Sequence, residues 1–185
     1  NTSNASLNVQ SIYGIYQKLG SVVFNDPKVT IDIDSYQYDV AGLYLDKCIN
    51  TVNNSDILIT CDSDNTSNSS LTNQARGIYS LDASDATTNS LDVSDYSNLI
   101  LGGKIRVRRN TGQHTLNSLF VDYNATIIGF GIILESVPTS RNNATNDHPN
   151  SLLKTVNCFL MNSDGQVISD ITQIASTGGS TVANN

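Results

Sequence analysis

Residues 7–16 read LNVQSIYGIY, and this stretch sets the fold class that we predict. In an extended chain, Leu7, Val9, Tyr13 and Ile15 lie on one face, and the small Ser11 leaves a gap between them. Alternation with a period of two predicts a β-strand. Such a strand can pair within its own domain. It can also leave that domain and complete the sheet of a neighbour, where alternate side chains fill pockets.

The same signal recurs along the rest of the chain. Short apolar or alternating runs rich in Val, Ile, Tyr and Thr are separated by clusters of Asn, Ser, Asp, Thr and Gly, which is typical of strands joined by turns. The predicted strands are 21–24, 29–33, 41–49, 56–61, 77–81, 99–108, 118–135, 152–161 and 166–175. Short strands at regular spacing predict an all-β fold, namely an immunoglobulin-like or pilin-like β-sandwich with an extended N-terminal donor strand.

Glycines mark irregularities within these strands. Gly129 and Gly131 interrupt the long run 118–135, and we expect a bulge or a bend there. Gly102 and Gly103 predict a second bulge. Residues 162–165 read NSDG, a favourable hairpin loop between the last two strands.

Composition argues against several classes of function. The 185 residues carry a formal net charge of −7 that is spread without runs, which argues against nucleic acid as a partner. No stretch reaches the ~18 apolar residues of a membrane span. The only two histidines, His114 and His148, lie in polar, turn-like segments. Since no catalytic or metal-binding motif stands out, we expect no enzyme activity, no metal and no cofactor.

Sequons indicate an extracellular protein. The pattern Asn-x-Ser/Thr occurs at Asn1, Asn4, Asn53, Asn65, Asn68, Asn124 and Asn143, and we expect N-linked glycans at several of these sites. Four of the asparagines, at positions 53, 65, 68 and 143, fall in polar stretches that read as loops. Asn124 lies in a strand pattern, on the solvent-facing side with Asp122 and Thr126. Because the first residue is Asn, we expect a mature chain whose leader has been removed.

Three cysteines leave one unpaired in any disulfide scheme. If the segments 43–48 and 56–61 form a hairpin centred between Asn54 and Ser55, Cys48 lies opposite Cys61, and their Cα atoms are ~5 Å apart. This geometry predicts a disulfide between them. The alternative is three free, buried thiols. Cys158 is expected to behave as a small buried hydrophobic residue.

Basic residues alternate along one predicted strand. Lys104, Arg106 and Arg108 share a strand face. They are typical of a solvated sheet face or of charges that prevent edge pairing. Alternatively, they form a patch that meets acidic groups of a neighbouring subunit or of a cell surface.

Four features together resemble the secreted, N-glycosylated subunits of archaeal surface filaments called threads. They are the polar start at residues 1–6, the alternating strand 7–15, the seven sequons, and the β pattern rich in Asn, Ser and Thr. The resemblance implies the architecture of bacterial type I pilins and assembly by donor-strand complementation. It assigns residues 1–20 to a tail and donor strand, and residues 21–185 to a head domain.

The implied function is that of a structural subunit of an extracellular filament. Leu7, Val9, Tyr13 and Ile15 of one subunit would enter the next subunit, and this head-to-tail contact builds a homopolymer because it does not close. Adhesion to a cell or to an abiotic surface would be its role. The sequence leaves other functions open: a monomeric secreted binding module, lectin-like or from a surface layer, a virion coat protein, and a secreted hydrolase.

Overall fold

The structure, a computed structural model, describes residues 10–34, 38–62, 74–82, 96–109, 115–122, 125–137, 144–146, 152–161, 166–171 and 181–182. These residues form fifteen β-strands and no helix. The strands are β1 (Gln10–Gly20), β2 (Val23–Asn25), β3 (Lys28–Asp34), β4 (Tyr38–Cys48), β5 (Thr51–Asp62), β6 (Gln74–Leu81), β7 (Tyr96–Arg108), β8 (Thr115–Val121), β9 (Ala125–Phe130), β10 (Ile133–Val137), β11 (Ala144–Asn146), β12 (Leu152–Val156), β13 (Cys158–Met161), β14 (Val167–Ile171) and β15 (Thr181–Val182).

The chain passes alternately through two sheets, like a coil, and the strands of successive windings pair in parallel. One sheet, which we call sheet A, contains β1, β4, β6, β8 and β11 in that order. Sheet B contains the strands that lie between these in the chain, and they also pair in parallel from turn to turn. Each winding is called a rung. The first rung is β1, β2 and β3, and the fifth is β11, β12 and β13.

The fold is therefore a parallel β-solenoid, and the predicted immunoglobulin-like or pilin-like sandwich is wrong. A sandwich of that class consists of antiparallel strands, whereas the strands of neighbouring rungs run in the same direction. Parallel strands need a long crossover, which is usually a helix. Here the strand of the opposite sheet serves as the crossover. Alternation in the sequence indicates which side chains face the core, but it does not encode strand direction.

The core fills the space between the two sheets. In sheet A, Ile15, Leu43, Ile78 and Leu119 occupy the same register position in four rungs, and the last three are fully buried. Burial of each such side chain contributes about 1.5–3 kcal/mol. Ile57 and Ile105 of sheet B pack into the same cluster. Stacking of like residues makes one continuous core along the solenoid axis.

A short repeat accompanies this stacking. The segments IYGIY (12–16), VAGLY (40–44), ARGIY (75–79) and LNSLF (116–120) lie side by side in sheet A. Each contains Gly or Ser, then an aliphatic residue, then an aromatic one. The aliphatic residue points into the core and the aromatic residue points outward. This repeat was missed at the sequence level, although self-similarity of this kind is the usual signature of a solenoid.

A column of left-handed residues bends every rung of sheet B. Asp26, Asn54, Gly102, Gly131 and Asn157 have φ values of 49°, 49°, 67°, 63° and 51°, and the strand registers on either side place them next to one another. Only Gly, Asn and Asp visit this conformation readily. The bend expected near position 131 is confirmed, as is the irregularity at positions 102–103. The predicted single strand 118–135 is divided among β8, β9 and β10.

The two ends of the solenoid differ. In the described part of the chain, β1 pairs only with β4, and β2 and β3 pair only with β5, so the outer edge of the first rung is open. At the other end, β14 pairs antiparallel with β13, and β15 pairs antiparallel with β11. The predicted pairing of the last two strands as a hairpin is confirmed, and its loop 162–165 lies outside the described residues.

The predicted disulfide is absent, because the predicted hairpin does not form. Cys48 ends β4 in sheet A, whereas Cys61 lies near the end of β5 in sheet B. Residues 49–50 turn the chain from one sheet to the other, and Asn54 is the bend inside β5. Cys48, Cys61 and Cys158 are all buried, and none of them forms a disulfide. Burial raises the pKa of the Cys48 and Cys158 thiols.

Candidate functional site

The outer face of sheet A carries a column of aromatic side chains that crosses four rungs. Tyr16, Tyr44, Tyr79 and Phe120 share one register position, and Tyr13 leans against the column from the first rung. Ring centroids lie 5.3 Å apart for Tyr16 and Tyr44, 5.1 Å for Tyr44 and Tyr79, 5.2 Å for Tyr79 and Phe120, and 4.4 Å for Tyr13 and Tyr44. We call these five residues the aromatic face. Such contacts stabilise by about 0.5–1.5 kcal/mol each beyond the area buried.

Exposure of the aromatic face increases toward the open end of the solenoid. Phe120 is 3% exposed and Tyr79 8%, whereas Tyr13 is 36% and Tyr16 51% exposed. The guanidinium of Arg76 lies 4.2 Å from the ring centroid of Tyr79 and 4.4 Å from that of Phe120, a cation–π arrangement. The rings of the aromatic face are thus buried at the third and fourth rungs and accessible to solvent at the first.

Two phenols of the aromatic face resist ionisation. Burial raises the pKa of Tyr44 to about 12, and the neighbouring Tyr13 adds to the effect. Burial also raises the pKa of Tyr79, although the Arg76 cation opposes this shift. The Tyr79 hydroxyl lies 3.3 Å from Oδ2 of Asp122. Both phenols are therefore neutral donors at ordinary pH.

A cavity of about 230 Å³ opens beside the aromatic face. Its lining combines aromatic rings with polar side chains: Ser11, Tyr13, Asp39, Val40, Ala41, Tyr44, Arg76 and Tyr79. Ala41 stands between Tyr13 and Arg76 in one register column of sheet A, so the small side chain leaves a depression between two large ones. We call it the Ala41 cavity.

The first rung concentrates exposed apolar side chains. Eight large hydrophobic residues are exposed in the described part of the chain, and five of them belong to this rung or its turns: Tyr13, Tyr16, Leu19, Val22 and Val23. Val23 is 60% and Leu19 58% exposed. Together with the open strand edge, these side chains make the first rung a second candidate surface.

The residues predicted to form a donor strand belong in part to this rung. Tyr13 and Ile15 lie in β1, which pairs with β4 of the same chain over residues 10–20. The structure therefore places these residues inside the solenoid, and the predicted boundary between a tail (1–20) and a head (21–185) does not separate them from it. Leu7 and Val9 lie outside the described residues.

Of the predicted glycosylation sites, the structure describes Asn53. This residue lies in β5 and not in the predicted loop, and its Nδ2 donates a 2.8 Å hydrogen bond to Oδ1 of Asn25. The six others, Asn1, Asn4, Asn65, Asn68, Asn124 and Asn143, lie outside the described residues. Asp122 and Thr126, which flank Asn124, are 8% and 3% exposed, so their predicted solvent-facing position is wrong.

Two of the three basic residues predicted to form a strip on β7, Arg106 and Arg108, are paired with carboxylates of the same chain. Arg106 Nη2 lies 2.6 Å from Oδ1 of Asp56 in β5, and Arg108 Nη2 lies 2.7 Å from Oε1 of Glu135 in β10. The Glu135 side chain is 2% exposed, and the positive charge of Arg108 offsets the desolvation cost of burying its carboxylate. The two arginines thus tie neighbouring rungs together and are not free to meet an acidic partner.

Other classes of site have little support in the described residues. They contain no cluster of three or more His, Cys, Asp or Glu side chains that could hold a metal ion, and none of their segments is a helix of the length and apolarity that would cross a bilayer. The chain matches no protein-family model, no curated protein and no solved structure.

Proposed function

We propose that the protein is a structural subunit of an extracellular homopolymer, and that copies join through the open edge of the first rung. The observation that carries this proposal is the long edge of β1, β2 and β3, which no other strand of the described residues covers, together with its exposed apolar side chains. The sequons support an extracellular setting, and their glycans would shield the outside of the assembly. Attachment to a surface would be the role of such a polymer.

An open rung favours the addition of a strand from another chain. Its unpaired N–H and C=O groups form a ladder that a neighbouring strand can complete, and soluble proteins normally protect such edges with charges, Pro or a covering segment. Solenoids likewise need capping repeats to stay soluble. The first rung exposes Tyr16, Leu19 and Val23 beside its charged residues Lys18, Lys28 and Asp32.

The contact that we propose is addition to an edge, and it replaces withdrawal of the N-terminal strand. Residues 10–20 already complete sheet A of their own chain, so donating them would open that sheet and expose its core. Addition to the outer edge of β1 leaves every intrachain pair in place. It uses backbone hydrogen bonds, each with a net contribution of about 0.5–1.5 kcal/mol.

The difference between the two ends favours a head-to-tail arrangement. One end presents parallel strands with a free edge, and the other carries the antiparallel β14 and β15. If the first rung of one copy docks on the opposite end of another, the contact is heterologous and grows into a filament. Pairing of two first rungs would be isologous and would stop at a dimer.

Negative-stain microscopy and light scattering of the full chain test this proposal. We expect filaments at high protein concentration, because most open edges are then occupied by another copy of the chain. The variant Tyr16→Lys/Val23→Lys places two charges at the open rung and is expected to remain monomeric. The control Ile49→Lys alters an equally exposed side chain, at 52%, between the strands of the second rung, and it should still assemble.

Three outcomes would contradict the proposal. They are a wild-type chain that stays monomeric at millimolar concentration, a species that stops at a dimer, and a Tyr16→Lys/Val23→Lys variant that assembles as well as the control. Closed shells of uniform size would favour the alternative of a virion coat protein.

A further inference from the structure

The Ala41 cavity is formed by a single small residue in a column of large ones. The register column that includes Tyr13, Ala41 and Arg76 faces outward on the first three rungs. Because adjacent strands lie about 4.8 Å apart, the side chains of Tyr13 and Arg76 are separated by roughly two strand spacings. The volume of about 230 Å³ lies below the range of drug-sized pockets and suits one small ring.

The tyrosine rings that line the cavity are held in place before any ligand arrives. Tyr13 and Tyr44 pack with their centroids 4.4 Å apart, and Tyr44 meets Tyr79 edge to face at 5.1 Å. Tyr79 in turn rests on Phe120 at 5.2 Å. A ligand that packs on these rings does not have to immobilise them. Binding therefore loses little side-chain entropy, which favours affinity.

Polar groups converge on the same cavity. Oδ1 of Asp39 accepts a 2.8 Å hydrogen bond from the backbone N–H of Gln74, which fixes the carboxylate while leaving it further acceptor positions. Arg76 donates to the side-chain oxygen of Gln74. Its buried Nε has no hydrogen-bond partner among the described residues. Ser11 is the register partner of Asp39 in the adjacent strand and lines the same cavity.

This combination of groups selects a class of ligand. An anion would meet the Asp39 carboxylate, and a purely apolar ligand would leave Asp39 and Arg76 desolvated without compensation, which is unfavourable. A pyranose ring offers a C–H face for aromatic side chains and hydroxyls that both donate and accept. A carboxylate and a guanidinium on one rim provide the complementary acceptor and donor.

We propose that the Ala41 cavity binds one neutral pyranose unit of a saccharide, with Tyr13 and Tyr44 against the sugar face and Asp39 and Arg76 on its hydroxyls. The site lies on the outer face of sheet A and not on the strand edge. The cavity shares Ser11 and Tyr13 with the first rung, so binding is measured on the dilute monomer, and there either proposal can fail alone.

The test uses the full chain produced without glycans in bacteria, with the methyl glycosides of glucose, galactose, mannose and N-acetylglucosamine as probes. Saturation-transfer NMR should show contact with at least one of them, and titration should give its affinity. Tyr13→Ala should weaken that affinity by about tenfold, since one aromatic contact contributes up to about 1.5 kcal/mol. The matched control Tyr16→Ala removes an exposed ring of the same strand outside the cavity lining, and we expect less than a twofold change by the same scale.

Two further variants keep the test independent of folding defects. Asp39→Asn retains an oxygen that can accept from the Gln74 N–H but loses the charge, so it should bind more weakly at unchanged thermal stability. Ala41→Leu enlarges a residue that lines the cavity but is only 1% exposed, so its melting temperature is measured alongside, and the variant should not bind while it is folded. The proposal fails if no glycoside shows transfer, if glycerol binds equally well, or if Tyr16→Ala weakens binding as much as Tyr13→Ala.

Comparison with the native, glycosylated chain identifies the source of the sugar. If the glycoside binds the bacterial chain but not the native chain, glycans carried by the protein itself occupy the cavity. If it binds both chains equally, the saccharide comes from outside. Either result supports a pyranose site.

Discussion

At the residue scale, close approach between strands explains the glycines of sheet A. A Cβ atom added to Gly42 would lie 2.6 Å from the backbone oxygen of Gly77 and 2.6 Å from Cγ2 of Ile57. The first obstacle is backbone, which cannot move aside as a flexible side chain can. In the fourth rung the same register position is held by Ser118, whose Oγ lies 3.2 Å from the carbonyl oxygen of Glu135.

We therefore predict that Gly42→Ala lowers the free energy of unfolding by about 2–3 kcal/mol, as overpacking does elsewhere. Urea denaturation measures this change. The control Ser118→Ala lies in the same column and keeps a Cβ that the structure already accommodates. It should lose only about 1 kcal/mol, the value of one hydrogen bond. Equal losses in the two variants would show that the column does not require glycine.

The buried phenols of the aromatic face make stability depend on alkaline pH. In the folded chain burial raises the pKa of Tyr44 from 10.0 to about 12, and the pKa of Tyr79 is also raised by burial. The folded state thus holds these protons more tightly than the unfolded state. Their contribution to stability is complete below pH 10 and is lost as the pH rises toward 12.

We expect the free energy of unfolding to fall between pH 10 and pH 12 in the wild type, and to fall less steeply in Tyr44→Phe/Tyr79→Phe. Tyrosinate absorbance, followed with circular dichroism, relates each ionisation to unfolding. At neutral pH the double variant serves as its own control: it differs by a constant amount that includes the lost contact between Tyr79 and Asp122. Curves that stay parallel throughout the alkaline range would contradict this account.

At the element scale, the bend in sheet B depends on residues that tolerate a positive φ. Asn157 has a φ of 51° and joins β12 to β13. Replacement by Val should cost about 1–2 kcal/mol, because a β-branched residue is strained in this region. Asn157→Gly should be neutral within about 0.5 kcal/mol. The control Lys154→Val changes an exposed residue of β12 to a good strand former. It should leave the midpoint of urea denaturation nearly unchanged. If Lys154→Val destabilises the chain as much as Asn157→Val, the bend does not need a left-handed residue.

The strands could be predicted from the sequence, but their partners could not. Runs such as 99–108 and 152–161 agree with β7 and with β12 and β13, because alternation and β-branched residues describe a half-buried extended chain. The pairing of 43–48 with 56–61 was wrong because Asn54 and Ser55 resemble a hairpin turn, whereas Asn54 is a left-handed bend within β5. The disulfide expected from that hairpin was lost with it.

The candidate sites were also only partly predictable. Tyr13 was placed correctly in a strand, but the face that it was predicted to share with Ile15 is wrong: Ile15 packs against the core, whereas Tyr13 meets Tyr44 on the outer face. The contacts of Tyr13 depend on which strands pair, and that depends on the winding. The repeated Gly-aliphatic-aromatic segments at 14–16, 42–44 and 77–79 would have been a sufficient signal for both the parallel stacking and the aromatic face. Their spacing varies because loops of different length separate the rungs, and this hides the period.

At the scale of the whole molecule, neighbour contacts are uneven along the solenoid axis. Within the ranges that the structure describes, the second, third and fourth rungs each have a parallel neighbour on both sides, whereas the first rung has a neighbour on one side. In a solenoid, stability is approximately the sum of the rung terms and the interfaces between adjacent rungs. The first rung therefore opens at lower free energy than the middle of the molecule, although its side chains Val29 and Ile31 are buried.

Amide hydrogen exchange of the dilute chain should reveal this gradient. We expect the slowest exchange in β4, β5, β6 and β7, and faster exchange in β1 and β3, because local opening of an end rung breaks one interface and not two. At concentrations where filaments form, amide exchange in β1 and β3 should slow by about tenfold or more. A subunit contact that stabilises the edge by only about 1.4 kcal/mol is enough for a factor of ten. The variant Tyr16→Lys/Val23→Lys should keep the fast exchange at every concentration, since its rung stays uncovered. A first rung that is already as protected as β4 in the dilute monomer would mean that another part of the chain covers it, and a filament that leaves its exchange unchanged would place the subunit contact elsewhere.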